Sequence, residues 1–480
     1  MNTVRFENPI KVARRESFDG LEVPQLNEEE VGTVCDTLMA RAEEYFSREK
    51  GAFAKVVALN KRWLDPEFPF RKQALEIIPR VSGFSKEMIE TFGFYPFAWT
   101  FPHPPPKKAM PKLKPYYDGY MKSIGTERVR KLHPRLLTRV MFGNVVGFDA
   151  IVMLHGIVAG CPQIVKVASG QPIFPFIYAN SMEAMDPELR ATIFLTYWKG
   201  GNTRIEDKVF SRSDVIDVWG ANETIADVKR RVIPMKHDPV IIENPHRIGM
   251  AFISKKYRTK RVADLVALDI ACWSGMACFC VKNVFVEGTP AQAKLFGKKV
   301  AAAIEKYTRA FGTMLSPQSG VEMLRMKEGY EKLEFEGKDV TTLTPARGIR
   351  WLVAVDGRPL DGLKATTPLA PMCVVQPVEN IDDAIANVAS QPEIRPFLEE
   401  ASVAMPQPDL LPLAEKMFDA GFMNVKTAGS VAFSKEWEPH GGMFYLYTAT
   451  RHDNLRWVCV DTNDIDKDLE KNAARISPLA

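Results

Sequence analysis

The chain has 480 residues, of which 46% are hydrophobic and 25% charged, and its formal net charge at pH 7 is +4. This composition is that of a soluble globular protein, large enough for two or more domains with a well-buried core. A net charge so small for this length gives little support for nucleic-acid binding.

The spacing of the cysteines and the polarity of the longest apolar stretches indicate where in the cell the protein is expected. Seven cysteines are scattered without the spacing of a disulfide framework, which suits a reducing compartment with free thiols. The first 30 residues are polar and lack the apolar segment of a signal peptide. The most apolar stretch, 142–160, is interrupted by Asn144, Asp149 and His155, too polar for a membrane-spanning helix. We therefore expect a cytoplasmic protein with no integral membrane segment.

The amino-terminal part is predicted to be helical after an extended, polar lead-in over residues 1–30. Apolar residues at helical spacing predict helices over 28–47, 53–64 and 70–78, with Pro79 stopping the third. The segment 94–117 is crowded with proline, which excludes regular helix or central strand and predicts a long loop or rigid connector. A polyproline ligand for another protein is the weaker interpretation.

From Met141 onward, predicted helices and strands alternate. The predicted helices cover 149–160, 185–198, 222–232, 261–271, 290–311 and 381–389. The predicted strands cover 163–168, 215–219, 239–243, 249–254, 281–286, 351–356, 371–376, 443–447 and 455–460. This alternation predicts an α/β fold with a parallel sheet and helices on both faces.

Cys278 stands out by its position between the predicted helix 261–271 and the predicted strand 281–286. The turn residues Trp273-Ser274-Gly275 separate them. A thiol among backbone amides and small neighbours can have a lowered pKa and act as a nucleophile. The alternative is a small buried hydrophobic side chain, and position alone favours it.

Three other segments carry residues suited to ligand binding. Trp219-Gly220 ends a predicted strand and opens into a helix, which offers backbone amides to a phosphate, although the G-x-G-x-x-G fingerprint is absent. Lys166 ends an apolar strand and can reach a ligand beyond the sheet, or extend to solvent at an edge. Asn144 lies at a predicted turn, where it is either an oxyanion donor or an ordinary turn residue.

The remaining clusters of cysteine, basic and histidine residues give weaker evidence of function. Cys272, Cys278 and Cys280 fit no standard zinc spacing and have no nearby histidine, so we expect no metal. The basic runs 107–114 and 255–261 are interpreted as solvated loops, with an anionic substrate as the minority alternative. Whether His440 does acid–base work stays open.

Taken together and in order, these segments resemble the aldehyde dehydrogenase superfamily, and within it the LuxC-type acyl-CoA reductases. The similarity spans 142–288, with a weaker match over 439–443 and 455–458. Three departures are Gly275-Met276 in place of polar residues, Ala221 in place of a second glycine, and Gly441 in place of an aspartate. They bear on substrate identity more than on chemistry.

The resemblance implies a role for each matching residue. Cys278 takes the role of nucleophile and Asn144 that of oxyanion donor. The cofactor-binding roles fall on Lys166, Ser169, Trp219, Gly220 and Thr224. The implied architecture is aldehyde-dehydrogenase-like: a Rossmann-type cofactor domain over 1–240, an α/β catalytic domain over 241–430, and a carboxyl-terminal strand segment, 431–480, that returns to the first domain or to an oligomer interface.

The implied reaction is reduction of an acyl-CoA thioester to an aldehyde through a cysteine-bound acyl-enzyme. NADPH is expected because no carboxylate follows Lys166 to repel a 2′-phosphate. Little hydrolysis is expected because the segment matching the family's water-activating glutamate, 247–251, contains no carboxylate, while Glu243 remains a weak substitute. The alternatives are a CoA-acylating aldehyde dehydrogenase working oxidatively and a non-catalytic acyl-binding subunit. A homo-oligomer is also implied, together with an acyl-transfer or acyl-activating enzyme as a further candidate partner.

Overall fold

The computed structural model describes residues 4–49, 51–99, 122–124, 127–129, 134–158, 160–236, 239–358, 369–433, 457–459 and 464–476. The described residues form two compact units, one up to Pro245 and the other from His246 onward. None of the helices in the described part of the chain is both long enough and apolar enough to span a bilayer.

The first unit begins with a small three-stranded sheet followed by helices. The strands are Val4–Arg5, Arg14–Phe18 and Leu21–Gln25, with the third in the middle. The helices are Val31–Arg48, Ala52–Trp63, Pro69–Ser82, Lys86–Met88, which runs into a π-helical turn Ile89–Gly93, and Tyr95–Trp99. Two short antiparallel strands, Lys122–Ile124 and Glu127–Val129, follow.

Two expectations for this region are wrong. The third helix continues through Pro79 to Ser82, because a proline in the last turn removes a single helical hydrogen bond. The proline-rich segment also begins with the short helix Tyr95–Trp99 rather than a loop. Residues 100–117 of that segment lie outside the described residues.

The core of the first unit is a sheet of five strands, all parallel. Their order is Val240–Asn244, Val215–Trp219, Leu137–Val140, Gln163–Lys166 and Ile193–Thr196. The helices connecting them are Phe148–Val158, Phe174–Glu183, Pro187–Arg190, Thr203–Arg212 and Asn222–Met235. The expected parallel α/β sheet is therefore confirmed here.

The helix predicted over 185–198 is wrong. That segment contains the short helix Pro187–Arg190 and then the fully buried strand Ile193–Thr196. A run such as Ile193-Phe194-Leu195 is apolar on every side, so its periodicity does not distinguish a buried strand from a buried helix.

The second unit contains a sheet of eight described strands. Their order is Val340–Leu343, Leu352–Asp356, Met372–Val378, Val281–Glu287, Ile248–Ile253, Leu398–Ala404, Asn424–Thr427 and Trp457–Cys459. Only the edge strand Val340–Leu343 is antiparallel to its neighbour among these pairings. The strand predicted over 455–460 is confirmed in Trp457–Cys459, whereas 443–447 lies outside the described residues.

Helices pack on the second sheet. They are Lys260–Ala271, Pro290–Phe311, Pro317–Phe335, Ile381–Ala389, Gln407–Ala420 and Ile465–Ile476. Short 3₁₀ turns occur at Lys255–Tyr257, Cys272–Gly275 and Arg395–Phe397. The central strands are apolar on both faces, as in Ile248–Ile253, where every residue is buried.

A buried carboxylate ties the helix Lys260–Ala271 to this sheet. Asp269 accepts hydrogen bonds from the Ser402 hydroxyl at 2.8 Å, the Gly429 backbone N–H at 2.8 Å and the Val431 backbone N–H at 3.3 Å. Burial raises the pKa of Asp269 to about 7, against which these hydrogen bonds and the Lys426 charge act. The carboxyl group therefore fixes the end of the helix that leads into Cys272.

Candidate active site

The candidate nucleophile lies on a loop between a helix and a central strand of the second unit. The helix Lys260–Ala271 begins at Thr259, whose hydroxyl accepts from the Val262 backbone N–H. It ends at Cys272, and the strand Val281–Glu287 starts three residues after Cys278. The predicted helix–loop–strand arrangement around Cys278 is confirmed.

The loop opens with three consecutive residues in the left-handed region. Trp273 has φ 50° and Ser274 φ 53°, and Gly275 follows with φ 69°. For a residue with a Cβ this conformation costs about 1–2 kcal/mol. At Gly275 a Cβ would also lie 2.1 Å from the backbone oxygen of Ala370. Only glycine fits there, and strain of this kind concentrates at functional sites.

Exposure separates Cys278 from the other thiols. Of the six cysteines whose side chains the structure describes, five are buried and Cys278 alone is half-buried. Its neighbours Cys272 and Cys280 are both 0% exposed. Among these six, Cys278 is the thiol that a substrate in solution reaches most easily.

The surroundings of Cys278 favour the protonated thiol. Burial raises the pKa of the Cys278 thiol well above its ordinary value, and the negative charges of Glu399 and Glu400 raise it further. The Arg247 guanidinium acts in the opposite direction. The expectation of a lowered pKa at this loop is therefore wrong, because partial burial and two carboxylates outweigh one cation.

Arg247 and Glu399 form a largely buried ion pair in this unit. The Arg247 Nε lies 3.1 Å from a Glu399 carboxylate oxygen, and its Nη1 donates to the Leu398 carbonyl at 3.1 Å. Glu399 is 1% exposed. Arg247 lies just before the strand Ile248–Ile253. The segment 247–251, which matches the family's water-activating segment, therefore begins with a cation.

A buried cluster that the sequence analysis missed lies behind the nucleophile. The sulfurs of Cys272 and Cys280 are 3.7 Å apart, and the Lys282 ammonium donates to the Gly275 carbonyl at 2.7 Å and to the Ala370 carbonyl at 2.9 Å. Burial raises the pKa of Cys280, but the hydrogen bond with Cys272 and the Lys282 charge outweigh it, and the net shift is downward. The sequence carried no clear local signal for this cluster, because the strand also contains Asn283 and one carbonyl partner of Lys282, Ala370, lies 88 residues away.

The other predicted site residues lie at one edge of the five-stranded sheet in the first unit. Asn144 follows the strand Leu137–Val140, Lys166 ends Gln163–Lys166, and Trp219 ends Val215–Trp219. These strands are parallel neighbours, so their carboxyl ends meet at the same edge. In open α/β sheets that edge is where ligands bind.

Lys166 is a buried cation at this edge. It is 9% exposed, and its Nζ lies 5.8 Å from the centre of the Tyr197 ring, a weak cation–π contact. Burial lowers the pKa of Lys166, with a partial opposing effect from the Glu206 charge. Ser169, on the loop that follows, is exposed. The alternative of an edge lysine extending into solvent is wrong.

The turn that bears Asn144 packs against the loop after Lys166. A Cβ on Gly143 would lie 3.2 Å from the Cβ of Ala168 and 3.2 Å from the backbone nitrogen of Gln171. The Gln171 side chain donates to the buried Asp149 carboxylate at 2.8 Å. These contacts hold the two loops together, and Asn144, the residue after Gly143, is half-buried in the first of them.

Trp219 joins the same edge through aromatic packing and a buried polar network. Its ring centre lies 4.7 Å from that of Phe142 and 5.9 Å from that of Phe148. Beneath it, the Asp217 carboxylate accepts from Arg139 and, at 2.8 Å, from the Asn244 side-chain amide. Asp217 and Arg139 are both 0% exposed, so this pair orients the strand end that carries Trp219.

Gly220 and Thr224 form the turn into the helix Asn222–Met235. A Cβ on Gly220 would lie 3.3 Å from the Cβ of Thr224, a contact tighter than is usual. Both residues are exposed, and the Gly220 backbone N–H donates to the Asn244 carbonyl at 3.2 Å. The predicted strand–turn–helix is confirmed. His440, with 439–443, 455 and 456 of the carboxyl-terminal match, lies outside the described residues.

The fold has many solved counterparts. Aldehyde dehydrogenase 21 from Physcomitrella patens, in complex with the reaction product succinate, has a TM-score of 0.69 at 15% identity, over 93% of this chain and 94% of that one. Methylmalonate-semialdehyde dehydrogenase from Oceanimonas doudoroffii has a TM-score of 0.69 at 12% identity, over 97% and 100%. An NAD-dependent aldehyde dehydrogenase from Burkholderia multivorans has 0.62 at 13%, over 94% and 85%.

The fold is therefore that of the aldehyde dehydrogenases, as expected. No curated protein matches this chain in sequence. The family model described as acyl-CoA reductase (LuxC) matches residues 120–452, and the chain belongs to this family. The match covers more than half of the chain, and it includes Asn144, Lys166, Trp219 and Cys278.

Proposed function

We propose that the protein reduces an acyl-CoA thioester to an aldehyde with NADPH, through an acyl-enzyme on Cys278. The single observation that carries this proposal is the setting of Cys278: a half-buried thiol on a strained helix-to-strand loop. Membership of the acyl-CoA reductase (LuxC) family supplies the substrate class.

The first step is thiol exchange at the acyl carbon. The Cys278 sulfur bonds to the thioester carbonyl carbon, the carbon–sulfur bond to CoA breaks, and CoA leaves as its thiol. The proton lost by Cys278 ends on the CoA sulfur, so the exchange is balanced without an external acid or base. Because the pKa of Cys278 is raised, we expect acylation to speed up as the pH rises.

The oxyanion formed during this exchange needs donors. We assign this role to the side-chain amide of Asn144 and the backbone N–H of Cys278, the residues that the family resemblance indicates. Removing one donor to an oxyanion typically costs about 10²–10³ in rate. Asn144→Ala should therefore slow acylation by about 10²–10³.

The first unit suits a phosphorylated nicotinamide cofactor. Lys166 is a buried cation that faces an aromatic ring, and the exposed Ser169 follows where a carboxylate would repel a 2′-phosphate. Trp219, Gly220 and Thr224 would border the cofactor at the start of the helix Asn222–Met235. When bound, NADPH supplies the hydride that reduces the acyl group to the aldehyde.

The acyl-enzyme is expected to resist water. The family resemblance expects a water-activating glutamate in the segment that begins at Arg247. Arg247 is instead a cation, and it forms an ion pair with Glu399. Glu243 belongs to the first unit, where its carboxylate lies 2.7 Å from the Lys229 ammonium. Glu399 and Glu400, the carboxylates whose charges act on Cys278, lie in ion pairs with Arg247 and Lys426. Carboxylates held in this way should activate water poorly, so we expect slow attack of water on the thioester, and the acyl group waits for hydride or for a thiol.

The test follows free acid, aldehyde and free CoA together in one reaction. With NADPH we expect aldehyde and CoA in equal amounts and little acid. Without cofactor we expect CoA release limited to about one equivalent per active site. Rapid catalytic acid release without cofactor would contradict the proposal and indicate a general base.

Two further measurements, the reverse reaction and labelling of the protein with radioactive acyl-CoA, separate the two alternative functions. Faster thioester formation from aldehyde, oxidised cofactor and CoA would favour the oxidative direction. The absence of any acyl label on the protein would favour a non-catalytic acyl-binding subunit.

With the reductase function we also propose cofactor binding by residues 1–240 and catalysis by 241–430. A returning segment 431–480, a homo-oligomer, a cytoplasmic location and an acyl-transfer or acyl-activating partner complete the proposal.

A further inference from the structure

We infer that Lys282 is a positioning residue: its ammonium group holds the carbonyls of Gly275 and Ala370 and thereby fixes the loop that carries Cys278. The inference rests on the proposed function of Cys278 as the nucleophile. Lys282 itself is assigned no contact with the substrate, and it acts through the backbone of the loop.

The geometry closes the loop at both ends. Lys282 lies in the strand Val281–Glu287, and its Nζ donates at 2.7 Å to the carbonyl of Gly275, seven residues earlier. Cys278 lies between these two residues, so a side-chain hydrogen bond spans the nucleophile. The second donation, at 2.9 Å to the Ala370 carbonyl, reaches a residue 88 positions further along the chain.

This loop needs an external restraint. Trp273, Ser274 and Gly275 are all left-handed, a conformation that residues with a Cβ adopt only when the surroundings impose it. The Ser274 hydroxyl accepts from the Met314 backbone N–H at 3.0 Å, and Gly275 packs directly on the Ala370 carbonyl. Lys282 joins the two carbonyls that meet at this contact.

The charge of Lys282 matters for this role. The side chain is 1% exposed, and burial lowers its pKa to about 8, opposed by the facing thiols Cys280, Cys272 and Cys373. Among the described residues, the other titratable group on which its charge acts is the half-buried His246 imidazole, whose pKa is lowered by burial and further by Lys282. Charged donors form roughly twice as strong hydrogen bonds as neutral ones. The restraint should therefore be strong below about pH 8 and weaken as the ammonium loses its proton above it.

The experiment compares wild type with Lys282→Met, Lys282→Arg and the control Lys299→Met. Lys299 is a matched lysine because its Nζ donates at 2.9 Å to the carbonyl of Arg258, away from the loop. The rate of Cys278 acylation by acyl-CoA is measured in a single turnover without cofactor, and its alkylation by iodoacetamide in parallel. Both are followed from about pH 6 to about pH 10, across the pKa of Lys282, which lies at about 8.

We expect Lys282→Met to slow acylation roughly ten-fold or more at pH 7, the loss of a charged hydrogen bond. The ratio of wild type to Lys282→Met should shrink above pH 8, where the wild-type lysine also becomes neutral. Lys282→Arg stays charged, so its rate should not show the relative decline of wild type above pH 8. Lys299→Met should stay within about two-fold of wild type.

A wild type to Lys282→Met ratio that is the same at every pH would overturn the inference, because a packing role alone does not titrate. If Lys282→Met does not fold, a Lys282→Arg profile identical to wild type above pH 8 overturns it as well. Failure of the proposed function is recognised separately: wild type would then take no acyl label, while iodoacetamide alkylation of Cys278 would still report on the loop.

Discussion

Replacing Gly275 with alanine tests whether the strained turn holds the nucleophile. The left-handed backbone costs a residue with a Cβ about 1–2 kcal/mol. The added Cβ would lie 2.1 Å from the Ala370 carbonyl oxygen, and relieving an overpacked contact costs about 1–3 kcal/mol. The sum is about 2–5 kcal/mol of unfolding free energy. For a unit of this size, we expect the melting temperature to fall by roughly 4–20 °C.

The assay is thermal unfolding together with the acylation rate of Cys278 by labelled acyl-CoA. Gly329→Ala is the matched control, since a Cβ there meets nothing within 4 Å in the helix Pro317–Phe335. That control should be neutral or gain up to about 1 kcal/mol, because alanine is the better helix former. Gly275→Ala should lose both stability and acylation.

The reasoning would be refuted if Gly275→Ala melted at the wild-type temperature and acylated at the wild-type rate. A variant that is destabilised yet acylates normally below its melting point would refute the narrower claim that the turn positions Cys278. Both outcomes are read from the same protein samples.

The remaining predictions concern the cofactor and the pH dependence of stability. Lys166→Met should raise the KM for NADPH about ten-fold or more, because it removes a charged hydrogen bond to the 2′-phosphate. The KM for NADH should stay nearly unchanged. An equal rise in the KM for both cofactors would contradict the assignment. The pKa of Asp269 is about 7 in the folded protein, against 3.8 when unfolded, so folding favours the protonated carboxyl group. Its contribution to the unfolding free energy is full below pH 4 and is lost as the pH rises through 7. The loss is up to about 4 kcal/mol. Denaturant unfolding of Asp269→Asn should lack this slope, and an unchanged slope would show that another group titrates.

Local periodicity was enough to locate most of the regular elements. The helices at Lys260–Ala271 and Pro290–Phe311 and the strand Val281–Glu287 each show one clear period in the sequence. The position of Cys278 between a helix end and a strand start followed from that pattern alone. The match of ordered segments to the acyl-CoA reductases then distinguished it from Cys272 and Cys280.

What failed depended on tertiary structure. The strand Ile193–Thr196 is buried on both faces, so its sequence lacks the alternation that distinguishes a strand from a buried helix. Lys282 was missed because one of its carbonyl partners, Ala370, lies 88 residues away. The pKa of Cys278 was expected to fall, but burial and the charges of Glu399 and Glu400 raise it. None of these contacts is local in sequence, so no local pattern could indicate them.

The central claim is that Cys278 carries the acyl group. The most direct measurement incubates the protein with radiolabelled acyl-CoA without cofactor and maps the label by peptide mass spectrometry. We expect about one label per chain on the peptide containing Cys278, none in Cys278→Ala, and full or partial labelling in Cys280→Ala, whose thiol is buried. Label that persists in Cys278→Ala at the wild-type level, or that maps to Cys280, would contradict the account.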